Sequence, residues 1–170
     1  SESGDSATRP MLVERCLFAA NRAGNRFINT SSGRGGALEF TSSTVTLTDS
    51  IFVGNEAIAS VVESARGGAI YATGTVDRPS SVMVRNCTFY DNGAITSSVD
   101  GALGGAIFAR NSAAVIVENS IFRSNNPGDI FGVRGGGSVN ISSSITSGNP
   151  RFLENPDGKN NGWTDAPTTG

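Results

Sequence analysis

Apolar and polar residues alternate with a period of two along a series of short stretches: Met11 to Val13, Val45 to Leu47, Val82 to Val84, Val115 to Val117 and Val139 to Ile141. A strand turns successive side chains to opposite faces, whereas a helix brings apolar positions back every three or four residues, so the pattern predicts strands with one inward face. Each stretch leads into the same punctuation. Phe18-Ala-Ala-Asn21, Phe52-Val-Gly-Asn55, Phe89-Tyr-Asp-Asn92 and Phe122-Arg-Ser-Asn125 are four copies of F-x-x-N, and Thr146-Ser-Gly-Asn149 is a fifth with Thr in the aromatic position. Aligned on that motif, Met11, Val45, Val82, Val115 and Val139 fall in one inward column, and Val13, Leu47, Val84, Val117 and Ile141 in a second.

Between successive copies lies another motif, Gly35-Gly-Ala-Leu38, Gly67-Gly-Ala-Ile70 and Gly104-Gly-Ala-Ile107, with Pro127-Gly-Asp-Ile130 as a degenerate fourth. Leu38, Ile70, Ile107 and Ile130 make a third inward column. The step from Phe122 to Thr146 is 24 residues and that from Ile107 to Ile130 is 23, whereas the earlier F-x-x-N steps run 33 to 37 because segments are inserted after the Asn. A bare coil of about 24 residues suits three short parallel strands and three turns, with coils about 4.8 Å apart. Helical repeats have a similar period, but their helices need 3.6-residue spacing, and these segments alternate by two. The expected fold is therefore all-β, a right-handed parallel β-helix of about five coils, forming a rod roughly 20 to 25 Å long with insertion loops at one corner. Residues 11–150 are expected to form the β-helix, 1–10 an N-terminal segment and candidate cap, and 151–170 an exit segment with a polar tail.

Composition agrees with this picture. Of 170 residues 22 are Gly and Lys159 is the sole lysine, poor material for long helices. A net charge of −2 gives no electrostatic reason to expect nucleic acid, and no apolar stretch approaches the roughly 20 residues needed to insert in a membrane. The chain opens on Ser-Glu-Ser-Gly-Asp, which reads as a mature or excised piece without its targeting signal.

The pairing of F-x-x-N with G-G-A-[ILV] over residues 11 to about 150 resembles the polymorphic outer-membrane protein repeats of chlamydial surface autotransporters. In that family the β-helix is an exported surface passenger, often adhesive, carried by a C-terminal membrane barrel. The resemblance thus implies an extracellular or cell-surface location. Asn149-Pro-Arg-Phe-Leu-Glu-Asn-Pro-Asp157 likewise resembles the exit segment that ends many bacterial right-handed β-helices.

Asn21, Asn55, Asn92, Asn125 and Asn149 are expected to form an amide ladder, each bonding its neighbours above and below and capping turn backbone. Phe18, Phe52, Phe89 and Phe122 are read as stacked core residues. The Gly-Gly pairs lack the context of a phosphate loop and are expected to supply positive φ and close backbone approach at a corner. Cys16 and Cys87 share one column with Ser50, Ser120 and Ser144. Two coils of separation puts their Cα atoms about 9.6 Å apart, beyond the roughly 7 Å reach of a disulfide, so both are expected as buried free thiols.

Chemistry is sparse. With no His there is neither a zinc pattern nor a Cys-His nucleophile. Cleavage of acidic polysaccharides would need clustered carboxylates, but Asp91, Asp100 and Asp129 fall on different elements, and Arg85 with Glu118 reads as a simple cross-strand ion pair. No catalytic residue, metal site or cofactor is therefore assigned. Of the sequons at Asn29, Asn86 and Asn140, only the first lies in an expected exposed loop. The row Glu39, Tyr71, Phe108 and Phe131 faces outward and offers a stacking platform for a glycan or a hydrophobic footing for a partner, unless the insertions fold down over it, which is the favoured reading. Arg66 and Asp100 in the insertions complete the candidate binding set. Segments 22–34, 56–66 and 93–103 emerge at one corner, and 56–66 reads as a short helix. The row Leu17, Ile51, Thr88, Ile121 and Ile145 has no assigned place. The functional expectation is a non-enzymatic surface module for adhesion or protein recognition through corner loops. A structural subunit docked in a larger assembly is the first alternative, because open strand edges pair unless capped. A carbohydrate-binding or carbohydrate-active β-helix is the second.

Overall fold

A computed structural model describes residues 10–27, 32–60, 63–97, 101–127, 130–134, 136–146 and 168–169. All the regular structure among them is strand. The first coil contains β1 (Met11–Glu14), β2 (Leu17–Ala19), β3 (Arg22–Gly24) and β4 (Leu38–Thr41). The second contains β5 (Thr44–Thr48), β6 (Ile51–Val53), β7 (Glu56–Ile58), β8 (Ala65–Arg66) and β9 (Ile70–Thr73). The third repeats that order as β10 (Ser80–Arg85), β11 (Thr88–Tyr90), β12 (Gly93–Ile95), β13 (Ala102–Leu103) and β14 (Ile107–Arg110). Then follow β15 (Ala113–Glu118), β16 (Ile121–Arg123), β17 (Ile130–Arg134), β18 (Ser138–Ser142), β19 (Ile145–Thr146) and β20 (Thr168–Thr169).

Every pairing runs in parallel between successive coils, giving a β-solenoid with five faces. Sheet A is β1-β5-β10-β15-β18, sheet B is β2-β6-β11-β16-β19-β20, sheet C is β3-β7-β12, sheet D is β8-β13 and sheet E is β4-β9-β14-β17. The solenoid makes about three turns, where five coils were expected. Sheet A does carry five strands, but the last two coils are bare and, among the described residues, add no strand to sheets C and D. The insertions supply those two sheets, so full girth ends with the third coil. Thr168 and Thr169, assigned by sequence to the polar tail, pair with Ile145 and Thr146, a step of 23 residues and so the length of one bare coil.

The inward columns hold in register. Met11 lies opposite Val45, Val45 opposite Val82, Val82 opposite Val115 and Val115 opposite Val139. Leu38, Ile70, Ile107 and Ile130 are likewise in register in sheet E. Stacking buries Val45, Leu47, Phe52, Ile70, Val84, Phe89, Ile107, Val117, Phe122 and Ile141 in one continuous core. The four Phe rings stack nearly parallel at 4.7, 4.6 and 4.6 Å between centroids. At this spacing each ring covers the next, so apolar area is buried coil by coil without long-range side-chain interdigitation.

Beside the aromatic stack runs the amide ladder. The Nδ2 of Asn21, Asn55 and Asn92 each donates to the Oδ1 of the next Asn at 2.8 Å. The Nδ2 of Asn55, Asn92 and Asn125 also donates to the carbonyl of Phe18, Phe52 and Phe89 at 3.0 to 3.1 Å. These bonds satisfy buried amides and hold the turn after the aromatic position. A second ladder follows the Ser column, where Cys16, Cys87 and Ser120 each give a backbone N–H to the hydroxyl of Ser50, Ser120 and Ser144 at 3.1 Å. At the Gly-Gly corner Gly67 has φ +65°, and a Cβ on Gly68 would stand 2.0 Å from the Gly105 carbonyl. The first glycine permits the left-handed turn and the second permits the coils to touch.

Candidate functional site

The insertions determine which outward residues are reachable. Segment 56–66 was expected as a short helix; instead Glu56–Ile58 and Ala65–Arg66 are strands, paired with Arg22–Gly24, Gly93–Ile95 and Ala102–Leu103. Parallel pairing on both sides satisfies the backbone of Glu56–Ile58 and overrides the helix-favouring Ala and Glu content. A small cluster of Ala57, Ala59, Ala65 and Ala94, with Ala102 against it, joins the two walls of the lobe, and only short side chains fit there. Thr96 Oγ1 fastens it, its one hydroxyl proton shared between the Ser60 and Glu63 carbonyls at 2.8 and 3.0 Å.

This lobe covers the aromatic row of sheet E. Tyr71 and Phe108 are buried, 2% and 0% exposed, stacked at 5.8 Å and packed with Leu103. Arg34 lies over the Tyr71 ring at 5.5 Å and Arg66 over the Phe108 ring at 5.8 Å. The row is thus no open stacking platform, because the arginines and Leu103 close it off. Glu39 is exposed at its end, while Asp100, Asn149 and the Phe131 side chain lie outside the described residues. Arg66 holds its aromatic partner and does not project into solvent as a free binding group.

The two cysteines part company. Both are free, but Cys87 is buried and Cys16 is exposed, against the expectation of two buried thiols. The column is the same; coil one simply has no described coil before it. Burial pushes the Cys87 thiol pKa up, against the opposing backbone hydrogen bonds from Ser50 and Arg85.

The row Leu17, Ile51, Thr88, Ile121 and Ile145, unplaced from sequence, projects from the outer face of sheet B. Leu17, Ile51, Ile121 and Ile145 are 66, 47, 44 and 44% exposed, and Tyr90 beside them 47%. Registers Leu17↔Ile51, Ile51↔Thr88, Thr88↔Ile121 and Ile121↔Ile145 align them along the rod. Sheet B is three residues wide with Phe inward, so the residues flanking each Phe both point out, and the same β-branched preference that makes the strand leaves aliphatic groups in water.

Sequence reasoning also passed over a cleft of about 510 Å³ lined by Arg22, Gly24, Asn25, Arg26, Phe27 and Ile58. Its wall is set by Arg22, whose Nε and Nη2 donate to Glu56 Oε2 at 2.8 and 2.6 Å. Arg85 and Glu118 form the expected ion pair at 2.7 Å. Among the described residues no group of three or more His, Cys, Asp or Glu side chains is placed to hold a metal, and no helix is long and apolar enough to cross a membrane. Comparison of the chain with protein-family models, with curated proteins and with solved structures gives no match.

Proposed function

We propose that this chain is a non-enzymatic surface or extracellular recognition module that presents the outer face of its sheet B to a protein partner. The observation that carries the reading is the aligned row of exposed aliphatic side chains on that face, with Leu17, Ile51, Ile121 and Ile145 each at least 44% exposed. Water-exposed apolar rows of this kind mark contact surfaces, and a partner's aliphatic or aromatic surface is their natural complement. Support also comes from the resemblance of the F-x-x-N and G-G-A-[ILV] motifs to exported surface passengers. Recognition moves from the corner loops to sheet B, since segments 56–66 and 93–103 contribute walls of the solenoid. A carbohydrate reading loses its footing because Tyr71 and Phe108, on which it stood, are covered.

The test is capture from the native source with the chain beside an Ile51→Asp/Ile121→Asp variant of unchanged circular dichroism and thermal midpoint. A partner held by the native chain and lost by the variant supports the reading. The same partner held equally by both overturns it.

A further inference from the structure

The asparagines that close the repeats, Asn21, Asn55, Asn92, Asn125 and Asn149, are followed by Arg22, Glu56, Gly93, Asn126 and Pro150. An Asn side-chain amide can be attacked by the backbone nitrogen of the next residue. Glycine, with no Cβ, leaves that nitrogen unhindered, whereas proline has no N–H to give up. Asn92 is thus the one member of the column set before glycine. The fold does not demand that glycine. Gly93 has no positive φ, and a Cβ on it would meet nothing nearer than Ile95 Cγ1 at 3.6 Å, an ordinary contact. Its register partner Glu56 and the next in line, Arg22, both carry long side chains at the same position. Gly68, whose Cβ would stand 2.0 Å from the Gly105 carbonyl, is the contrasting case in which packing excludes any side chain.

From this pairing we infer that Asn92-Gly93 is a latent self-modification site, which forms a succinimide and deamidates when the coils open and is held silent by the amide ladder while they are closed. In the folded chain both reacting groups are engaged. Gly93 N–H donates to the Asn55 carbonyl at 2.8 Å. The Asn92 amide gives Nδ2 to Asn125 Oδ1 and the Phe52 carbonyl, and its Oδ1 receives the N–H and Nδ2 of Asn55. Asn92 is 1% exposed. Opening the coils frees all of these groups together. The Gly93 nitrogen then loses its proton to base and bonds to Asn92 Cγ, the Cγ–Nδ2 bond breaks, and Nδ2 leaves as ammonia with a proton from solvent. Water opens the succinimide at either carbonyl, giving aspartate or isoaspartate, with no redox change. Neither product suits the ladder. Aspartate puts an acceptor where Nδ2 donated to two acceptors. Isoaspartate adds a backbone atom between Phe89, in register with Phe52 and Phe122, and Ala94, in register with Ala57, so both registers cannot hold. Time spent open therefore becomes permanent loss of the fold. The inference rests on the ladder geometry and is independent of the sheet B reading.

The test incubates the full chain at mildly alkaline pH, folded in buffer and unfolded in urea, and follows Asn92 by peptide mapping with mass spectrometry that separates aspartyl from isoaspartyl products. Conversion at Asn92 is expected at least about tenfold faster in urea than in the folded chain, because the folded chain reacts only through its open fraction. Recovery of far-ultraviolet circular dichroism on dilution should fall in step with that conversion. A Gly93→Ala chain, which the open space at its Cβ accommodates, should convert more slowly in urea and keep its recovery for longer. The chain's other Asn-Gly pair, Asn161-Gly162, lies outside the described residues and is shared by both chains, so a difference in recovery belongs to Asn92. Equal conversion in buffer and urea, no conversion in urea, or recovery that declines equally in the two chains overturns the inference. The mapping comparison needs no variant and decides between silent and reactive whatever Gly93→Ala does to folding.

Discussion

The amide ladder sets a sharp test in Asn92→Ala. Asn92 is buried, and its side chain makes four hydrogen bonds: to Asn125 Oδ1 and the Phe52 carbonyl through Nδ2, and from the N–H and Nδ2 of Asn55 through Oδ1. Each is worth about 0.5 to 1.5 kcal/mol net, and the groups left behind are themselves buried, so the loss should be about 4 kcal/mol. Asn21→Ala removes one side-chain donor bond at an exposed position, which should cost under about 1 kcal/mol. Urea unfolding followed by far-ultraviolet circular dichroism measures both, and an unchanged m-value makes the midpoint shift a stability difference. Asn92→Asp adds a control of equal size. Its carboxylate would face the Phe52 carbonyl and Asn125 Oδ1, acceptors both, so it should be at least as damaging at neutral pH. Protonation restores a donor, so the protonated form fits the fold better, the pKa of the introduced carboxyl is raised, and stability should recover as pH falls. If Asn92→Ala costs no more than Asn21→Ala, within about 0.5 kcal/mol, the ladder is not what holds the coils.

Four further outcomes follow from the same geometry. Phe89→Ala, which removes a fully buried ring stacked on two others, should cost about 3 to 5 kcal/mol in urea unfolding, and Phe18→Ala, half-buried and stacked on one, clearly less. Gly68→Ala places a methyl 2.0 Å from the Gly105 carbonyl and should lower stability by more than about 2 kcal/mol; Gly54→Ala, at φ +61° with nothing within 4 Å, should cost about 1 kcal/mol, read from thermal midpoints. A thiol reagent should modify Cys16 in the native chain and reach Cys87 only on unfolding. Because burial raises the Cys87 pKa above its ordinary 9.0, its contribution to stability is complete below that pH and is lost as pH climbs through the folded value. Cys87→Ser, matching Ser50 and Ser120 in the column, should remove that alkaline loss at a cost under about 1 kcal/mol.

What was legible in the sequence is what each coil repeats. Parallel stacking puts like residues over like, so aligning the F-x-x-N copies is the same operation as finding the register. That is why Val45, Val82 and Val115, or Ile70 and Ile107, meet where the alignment set them. Composition misled at 56–66 because Glu, Ala and Ile there suit a helix in isolation, and only pairing with the coils on either side makes Glu56–Ile58 a strand. The exposed Cys16 shows the same limit from another side. Its column predicts burial, and burial needs a coil on each side.

The outer faces were hidden for a different reason. Alternation divides a strand into two faces, but it does not say which outward face a neighbouring lobe will cover. Tyr71 and Phe108 on sheet E and Ile51 and Ile121 on sheet B carry equivalent signals in sequence, apolar side chains pointing away from the core. The return strands Ala65–Arg66 and Ala102–Leu103 bring Arg66 and Leu103 over the first pair, and no described element lies over the second. Once the lobe has buried the aromatics, sheet B keeps the principal apolar outward row of the solenoid. Its aliphatic groups are spaced by the strand separation of about 4.8 Å, fixed by the same ladders that fix the core. A partner bound there would meet a surface that does not need to reorganise, so substitutions at Ile51 or Ile121 should alter binding while leaving the ladder and its stability intact.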